Sequence, residues 1–241
     1  LLCSTKRSYE MMPSEAKSQF IGWGIDEKEL VQFPWKERPY LFFFNAGWLG
    51  INDRKGLGTL LGVYQKLLEK YPELRGSLLI QTQIGFDTKK QPELFDGVDI
   101  MQGSMCRPGL YHMAKVYCYP AKLDSLGLSL LEAIASGMAI ICPDAPPWNE
   151  FVTHTRNGFL LPVSARRGRE DGIAFPEVLV SENGLFEAME RLYVEQEELT
   201  ERMSGASYAV WLTQLNWNGF KERIRSALES LEGKPLVDEL V

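Results

Sequence analysis

One stretch of the chain fixes most of its architecture. Lys115 to Tyr119 reads KVYCY, apolar enough for a buried strand. A loop follows, then an apolar run from about Leu128 to Ser136 that suits a helix. Gly137 sits where a left-handed C′ glycine would stop that helix, and MAIIC, Met138 to Cys142, reads as the next strand. Strand, helix and strand at this spacing form a βαβ unit, so the sheet is parallel. Ligands of such sheets bind outside the carboxyl ends of the strands, which is where Asp124 to Leu128 fall.

The rest of the chain repeats this rhythm. Tyr40 to Phe44 (YLFFF) is a buried strand, and Gly56 to Lys70 carries a helical stripe of Leu57, Leu60, Leu61, Tyr64, Leu67 and Leu68, with Pro72 just past its end. Further strands are expected at Ser77–Gln83, within Val98–Met105 and at Gly158–Val163, and a short helix around RPGLYHMA. The expected fold is α/β with a doubly wound parallel sheet. Ala165 to Asn183 is polar, carries Arg166, Arg167 and Arg169, and reads as a solvated loop. A last helix has an apolar stripe of Phe220, Ile224, Ala227, Leu228 and Leu231.

The totals set the class. The chain has 241 residues, 45% hydrophobic and 24% charged, with a net charge of −6. That balance argues against a nucleic-acid partner, which wants a clustered basic face. The four cysteines, Cys3, Cys106, Cys118 and Cys142, lack close spacing and read as reduced core residues of a cytoplasmic protein. No apolar run is long enough to span a bilayer.

The loop of the βαβ unit concentrates the chemistry. PAKLDSLGLSLLEAIASG, Pro120 to Gly137, holds Asp124 and Glu132 on either side of a helix start. Backbone N–H groups there suit a phosphate, and flanking carboxylates suit hydroxyls. Ser129-x-x-Glu132 also fits a capping box, in which the glutamate only satisfies a backbone N–H. Asp124 also fits a plain turn.

This stretch resembles the glutamate–seven residues–glutamate motif of the group 1 family of retaining GT-B glycosyltransferases. Pro120, Gly127, Leu128, Glu132, Ala133, Ala135 and Gly137 keep the family register. Asp124, Ser125 and Leu126 depart from it. Glu150 and Asn157 to Leu161 continue the pattern. Upstream, FFFNAGWLGINDRKGLGTLL resembles the family's segment ending in Lys-Gly, with Lys55 and Gly56 matching and Trp48 where an arginine is usual. Ile21 to Asp26 and Trp217 resemble further family features.

The resemblance implies a Rossmann-like C-terminal, donor-binding domain at residues 20–241. Residues 1–19 would be the end of an N-terminal domain or the linker from it, and the acceptor would be held by that missing domain. The donor would be a nucleoside diphosphate sugar, with no metal or other cofactor required. Lys55 and Asp124 are the implied catalytic residues. Gly47, Trp48, Arg54, Lys55, Gly103, Ser104, Met105, Ser125, Leu126, Gly127, Leu128 and Glu132 are implied donor contacts. Lys55 would hold the diphosphate, the N–H groups of Leu126 to Ser129 would help, Glu132 would accept from the ribose, and Asp124 would face the sugar. Arg54 could supply the charge that Trp48 lacks. A sugar, glycan or lipid would be the acceptor, with room for peripheral membrane contact through the absent domain.

Two other readings remain at this point. Trp48 and Asp124 suit a degenerate nucleotide-sugar binder or scaffold without transferase activity. A dehydrogenase is disfavoured because no G-x-G-x-x-G follows the first strand.

Overall fold

Consecutive phenylalanines of one strand face opposite ways, and the chain covers both sides. In β3 (Tyr40–Gly47), Phe42 and Phe44 enter one apolar cluster and Phe43 enters another. All three are fully buried, as expected for a strand with helices on both faces. Burying each such side chain contributes about 1.5–3 kcal/mol. The structure is a computed structural model that describes residues 1–230 apart from 32, 49–52, 86, 105–108 and 169–175.

The elements run in this order. A short β1 (Leu2–Cys3) and α1 (Lys6–Glu10) precede β2 (Gln19–Phe20), which pairs parallel with β1. After β3 come α2 (Leu57–Lys70), β4 (Leu78–Thr82), β5 (Val98–Gln102), β6 (Ala114–Cys118), α3 (Leu128–Ala135), β7 (Ala139–Pro143) and β8 (Gly158–Leu161). Then follow β9 (Val163–Arg167), β10 (Glu177–Val180), α4 (Glu182–Val194), α5 (Glu201–Val210) and α6 (Trp217–Glu229). Single π-helical turns, Gln196–Thr200 and Trp211–Leu215, flank α5.

Six strands form one parallel sheet in the order β5-β4-β3-β6-β7-β8. The order reverses between β3 and β6, and in such sheets the crevice that receives ligands lies at that point, outside the carboxyl ends of the strands. One face is packed by α2, α4 and α5 through Leu60, Leu67, Leu185, Met189 and Met203. The other is packed by α3 and the Trp211 turn through Leu130, Leu131, Ile134 and Trp211.

The expected βαβ unit is present. Gly137, at φ 64, ends α3 as a left-handed residue, and its N–H donates to the Ile134 carbonyl at 3.0 Å. Arg38 lies buried beneath this corner. Its Nη1 donates to the carbonyls of Ala114 and Gly137, and its Nη2 to that of Ser136. Burial lowers its pKa to about 10.

Three expectations fail. The strand expected over Gly158–Val163 breaks at Pro162, which has no N–H for a ladder, so β8 and β9 belong to different sheets. The solvated loop expected over Ala165–Asn183 instead contains part of β9, antiparallel β10 and the first residues of α4, with residues 169–175 outside the described residues. It is tied to the motif loop where the Val178 N–H donates to the Lys122 carbonyl at 2.8 Å. Arg166 and Arg167 are exposed on it, as expected, and Arg169 lies outside the described residues. On α6, Phe220 and Ala227 are buried against Ile21 and Trp23, but Leu228 is exposed and Leu231 lies outside the described residues.

The amino-terminal segment is docked onto the sheet domain. The Glu150 carboxylate accepts from the N–H groups of Lys6 at 2.7 Å and Arg7 at 3.0 Å. Arg7 Nη1 donates to the Pro146 carbonyl. Cys3, Cys118 and Cys142 are buried free thiols, and Cys106 lies outside the described residues.

Candidate functional site

The crevice is built by two loops pressed together. Gly56 stands before α2 at φ 78, and a Cβ there would lie 2.1 Å from the Pro120 carbonyl oxygen. Only glycine permits that approach. The Arg54 carbonyl accepts from the N–H groups of Lys122 and Leu123. Asp53 completes the joint. Its Oδ1 accepts from the Leu57 N–H at 2.7 Å, and its Oδ2 from Gly58 N–H and from Lys122 Nζ at 3.1 Å. The start of α2 and the loop after β6 are thereby held as one unit.

Lys55 points back from this joint to the end of β3. Its Nζ donates to the Asn45 carbonyl at 2.8 Å, and a Cβ on Gly47, which sits at φ 55, would lie 3.3 Å from it. Burial lowers the Lys55 pKa to about 8, against the opposing pull of Asp124 and Glu132 and with some help from Arg54. A cation half out of water beside two carboxylates suits an anionic ligand. The Arg54 side chain is exposed at the rim, and Trp48 is 73% exposed just beyond β3.

On the far side, α3 starts at Leu128 after Gly127, a left-handed residue at φ 77 without a side-chain cap. The capping box is therefore not formed. Ser129 is not the N-cap, and Glu132 instead accepts from the Tyr111 hydroxyl at 2.7 Å. Glu132 is half-buried and turned toward the crevice side, where it and Lys55 sense each other electrostatically.

Asp124 sits differently from the expectation that it faces a sugar. Its Oδ1 accepts from the N–H groups of Ser125 at 2.8 Å, Gly127 at 3.1 Å and Leu126 at 3.4 Å. Its other oxygen accepts from the Tyr119 hydroxyl. The short side chain turns onto its own loop, and two of the N–H groups expected to serve a phosphate, those of Leu126 and Gly127, serve Asp124 instead. Those of Leu128 and Ser129 are not engaged by it.

The remaining positions lie around the same mouth. Gly103 follows β5, its N–H donating to the Thr82 carbonyl at 2.8 Å, and Ser104 is exposed. Met105 lies outside the described residues. The fold thus gathers Gly47, Trp48, Arg54, Lys55, Gly103, Ser104, Ser125, Gly127, Leu128 and Glu132 at the carboxyl ends of the strands. Asn45, Asp53, Tyr111 and Tyr119 were not anticipated. The one available signal was Asn45, a polar residue inside the apolar run YLFFFNA. Among the described residues no three His, Cys, Asp or Glu side chains come together to hold a metal ion, and no helix is long and apolar enough to cross a membrane.

Comparison with known proteins agrees with this fold. Residues 90–174 match the family model of glycosyl transferases group 1. An uncharacterized glycosyltransferase of Haemophilus influenzae is 29% identical over 110 residues, covering 44% of this chain and 31% of the relative. A D-inositol 3-phosphate glycosyltransferase of Kribbella flavida is 28% identical over 177 residues, covering 66% of this chain and 41% of the relative. The chain therefore spans less than half the length of either. Among solved structures, the pneumococcal O-GlcNAc transferase GtfA in complex with UDP and GlcNAc superposes with a TM-score of 0.66 at 19% identity, covering 96% of this chain and 44% of that one.

Proposed function

We propose that this chain, which carries a group 1 glycosyltransferase domain of GT-B fold, binds a nucleoside diphosphate sugar at the β3–β6 crevice. It would be the donor half of a retaining transferase, residues 20–241 forming the nucleotide-sugar domain and residues 1–19 the approach from an N-terminal domain. That domain would hold the sugar, glycan or lipid acceptor and make any peripheral membrane contact. The observation that carries this reading is that Lys55, bonded to the Asn45 backbone carbonyl, and Glu132, bonded through Tyr111 to the Asn45 side chain, flank a joint closed by Gly56 against Pro120.

The residues divide the work by chemistry. Lys55, with Arg54 at the rim, opposes the charge that grows on the diphosphate as the bond to the anomeric carbon breaks. The first N–H groups of α3 at Leu128 and Ser129 add a positive helix end. Glu132 accepts from ribose hydroxyls, each such bond contributing about 1.5–3 kcal/mol. Trp48 offers an exposed face for stacking on a base or sugar. The acceptor oxygen bonds the anomeric carbon and its proton leaves to base or solvent. With Lys55 and the helix end supplying positive charge, no metal is required, and the protein would act in the cytoplasm. UDP in the solved GtfA complex supports a nucleotide ligand at this fold.

Asp124 favours a second reading. Its carboxylate is committed to its own loop, which suits a member that binds nucleotide sugar without transferring it. Calorimetric titration with UDP, GDP, ADP and their sugar conjugates tests both. Saturable binding of one diphosphate, lost in Glu132→Ala, is expected. Binding that survives Glu132→Ala would remove Glu132 from the site. Turnover of the bound sugar nucleotide by protein that includes the acceptor-holding domain decides between transferase and binder.

A further inference from the structure

Two side chains, half-buried Asn45 and buried Tyr111, join the opposite ends of the crevice. Asn45 Nδ2 donates to the Tyr111 hydroxyl at 2.8 Å, and that hydroxyl donates to Glu132 Oε2 at 2.7 Å. The backbone carbonyl of the same Asn45 receives Lys55 Nζ at 2.8 Å. Lys55 and Glu132 are thus tied to one residue, Lys55 to its backbone and Glu132, through Tyr111, to its side chain.

Tyr111 is held rigidly. It is 2% exposed, and its ring lies edge-on to Phe43 at 5.3 Å and to Tyr117 at 5.8 Å. A ring fixed by packing aims its hydroxyl at one point, whereas a free glutamate side chain samples several rotamers and loses entropy when a ligand fixes it. A carboxylate oriented before binding spares that loss.

Resting on the donor-site reading above, we infer that Tyr111 is a positioning residue for nucleotide recognition. It presets the Glu132 carboxylate for the ribose hydroxyls. Through Asn45 it also links that carboxylate to the strand end that holds Lys55, so ribose and diphosphate are recognised as one unit. The sheet packing needs only the ring; recognition needs the hydroxyl.

The test is Tyr111→Phe in the full chain, which keeps the ring and removes the hydroxyl. Calorimetry is run with UDP, GDP and ADP and with their 2′,3′-dideoxy counterparts. Wild type is expected to bind the ribose form of one nucleotide more tightly than its dideoxy form. In Tyr111→Phe the ribose form should weaken about tenfold, as for a charge-assisted bond partly lost, while the dideoxy form changes little. In a Glu132→Ala background, Tyr111→Phe should then add nothing. An equal loss for ribose and dideoxy forms would reduce Tyr111 to a packing role and overturn the inference. Unchanged or tighter ribose binding would overturn it as well. Wild type that discriminates while Tyr111→Phe does not matter sinks this inference alone. Wild type that binds none of the nucleotides, or does not discriminate, sinks the donor-site reading and this inference with it.

Discussion

Replacing Gly56 by alanine tests the joint on which the crevice depends. The new Cβ would lie 2.1 Å from the Pro120 carbonyl oxygen, whereas real Cβ atoms essentially never come closer than 3.0 Å. The obstacle is backbone on both sides, so relief requires the two loops to part by about an ångström. The φ of 78° adds roughly 1–2 kcal/mol for a residue with a side chain. Parting the loops weakens the bonds from Lys122 and Leu123 to the Arg54 carbonyl, each worth about 0.5–1.5 kcal/mol. The expected loss is about 3–4 kcal/mol, a large share of an ordinary domain stability of roughly 5–15 kcal/mol. Gly62 is the internal control. It lies within α2 with nothing within 4 Å of a Cβ, so Gly62→Ala should stabilise by about 0.5–1 kcal/mol. Urea titration of both variants reads this as opposite shifts in midpoint with unchanged slope. If Gly56→Ala loses less than about 1 kcal/mol, the value below even the φ cost, the loops are not locked and the reasoning fails.

Two further outcomes follow from the electrostatics and the loop. The Lys55 pKa near 8 lies below the ordinary lysine value, so the unfolded chain binds more protons between about 8 and 10.5 and this group makes stability rise with pH across that window. Diphosphate affinity should fall as pH climbs through about 8 and the ammonium discharges. Lys55→Met should flatten both profiles, and an opposite slope in the wild-type midpoints would contradict the assignment. Asp124→Ala should destabilise by about 1–2 kcal/mol because it removes the acceptor of the part-buried Leu126 and Gly127 N–H groups, while Asp124→Asn, whose amide oxygen can still accept from them, should lose less than half as much. Equal midpoints for the two variants would show that Asp124 does not hold the loop.

The chain's local patterns report its architecture well because burial on both faces leaves apolar runs such as YLFFF and MAIIC, and a parallel sheet follows from their alternation with helices. The role of Gly56 was readable as a motif, but its cause is a contact with Pro120, 64 positions away in the numbering of the sequence. Distance along the chain hid the rest as well. Asn45 and Tyr111 are 66 positions apart, so the polar Asn45 inside an apolar run has no visible partner until the sheet brings the two together. Asp124 illustrates the opposite limit. Its spacing from Glu132 survives, yet with one methylene fewer than glutamate its carboxylate bonds the N–H groups of its own turn, and that competition is decided by geometry that spacing does not encode. The hairpin of β9 and β10 was masked by its charge, because an exposed ribbon of arginines and a solvated loop have the same composition.

The Glu150 contact has a mechanical consequence. The segment from Asp144 to Glu150 grips α1 at its outer end, through Glu150 and the Pro146 carbonyl, and at its inner end carries Trp148, whose indole is 1% exposed and would sit 3.4 Å from a Cβ on Gly127. The segment is fastened to the sheet where the Asp144 N–H donates to the Leu161 carbonyl and where Ala145 and Trp148 are buried in the core, and the Asn149 amide braces the Asp144 carboxylate within it. The segment that holds the first turn of α1 therefore also packs, through Trp148, against the glycine that opens α3.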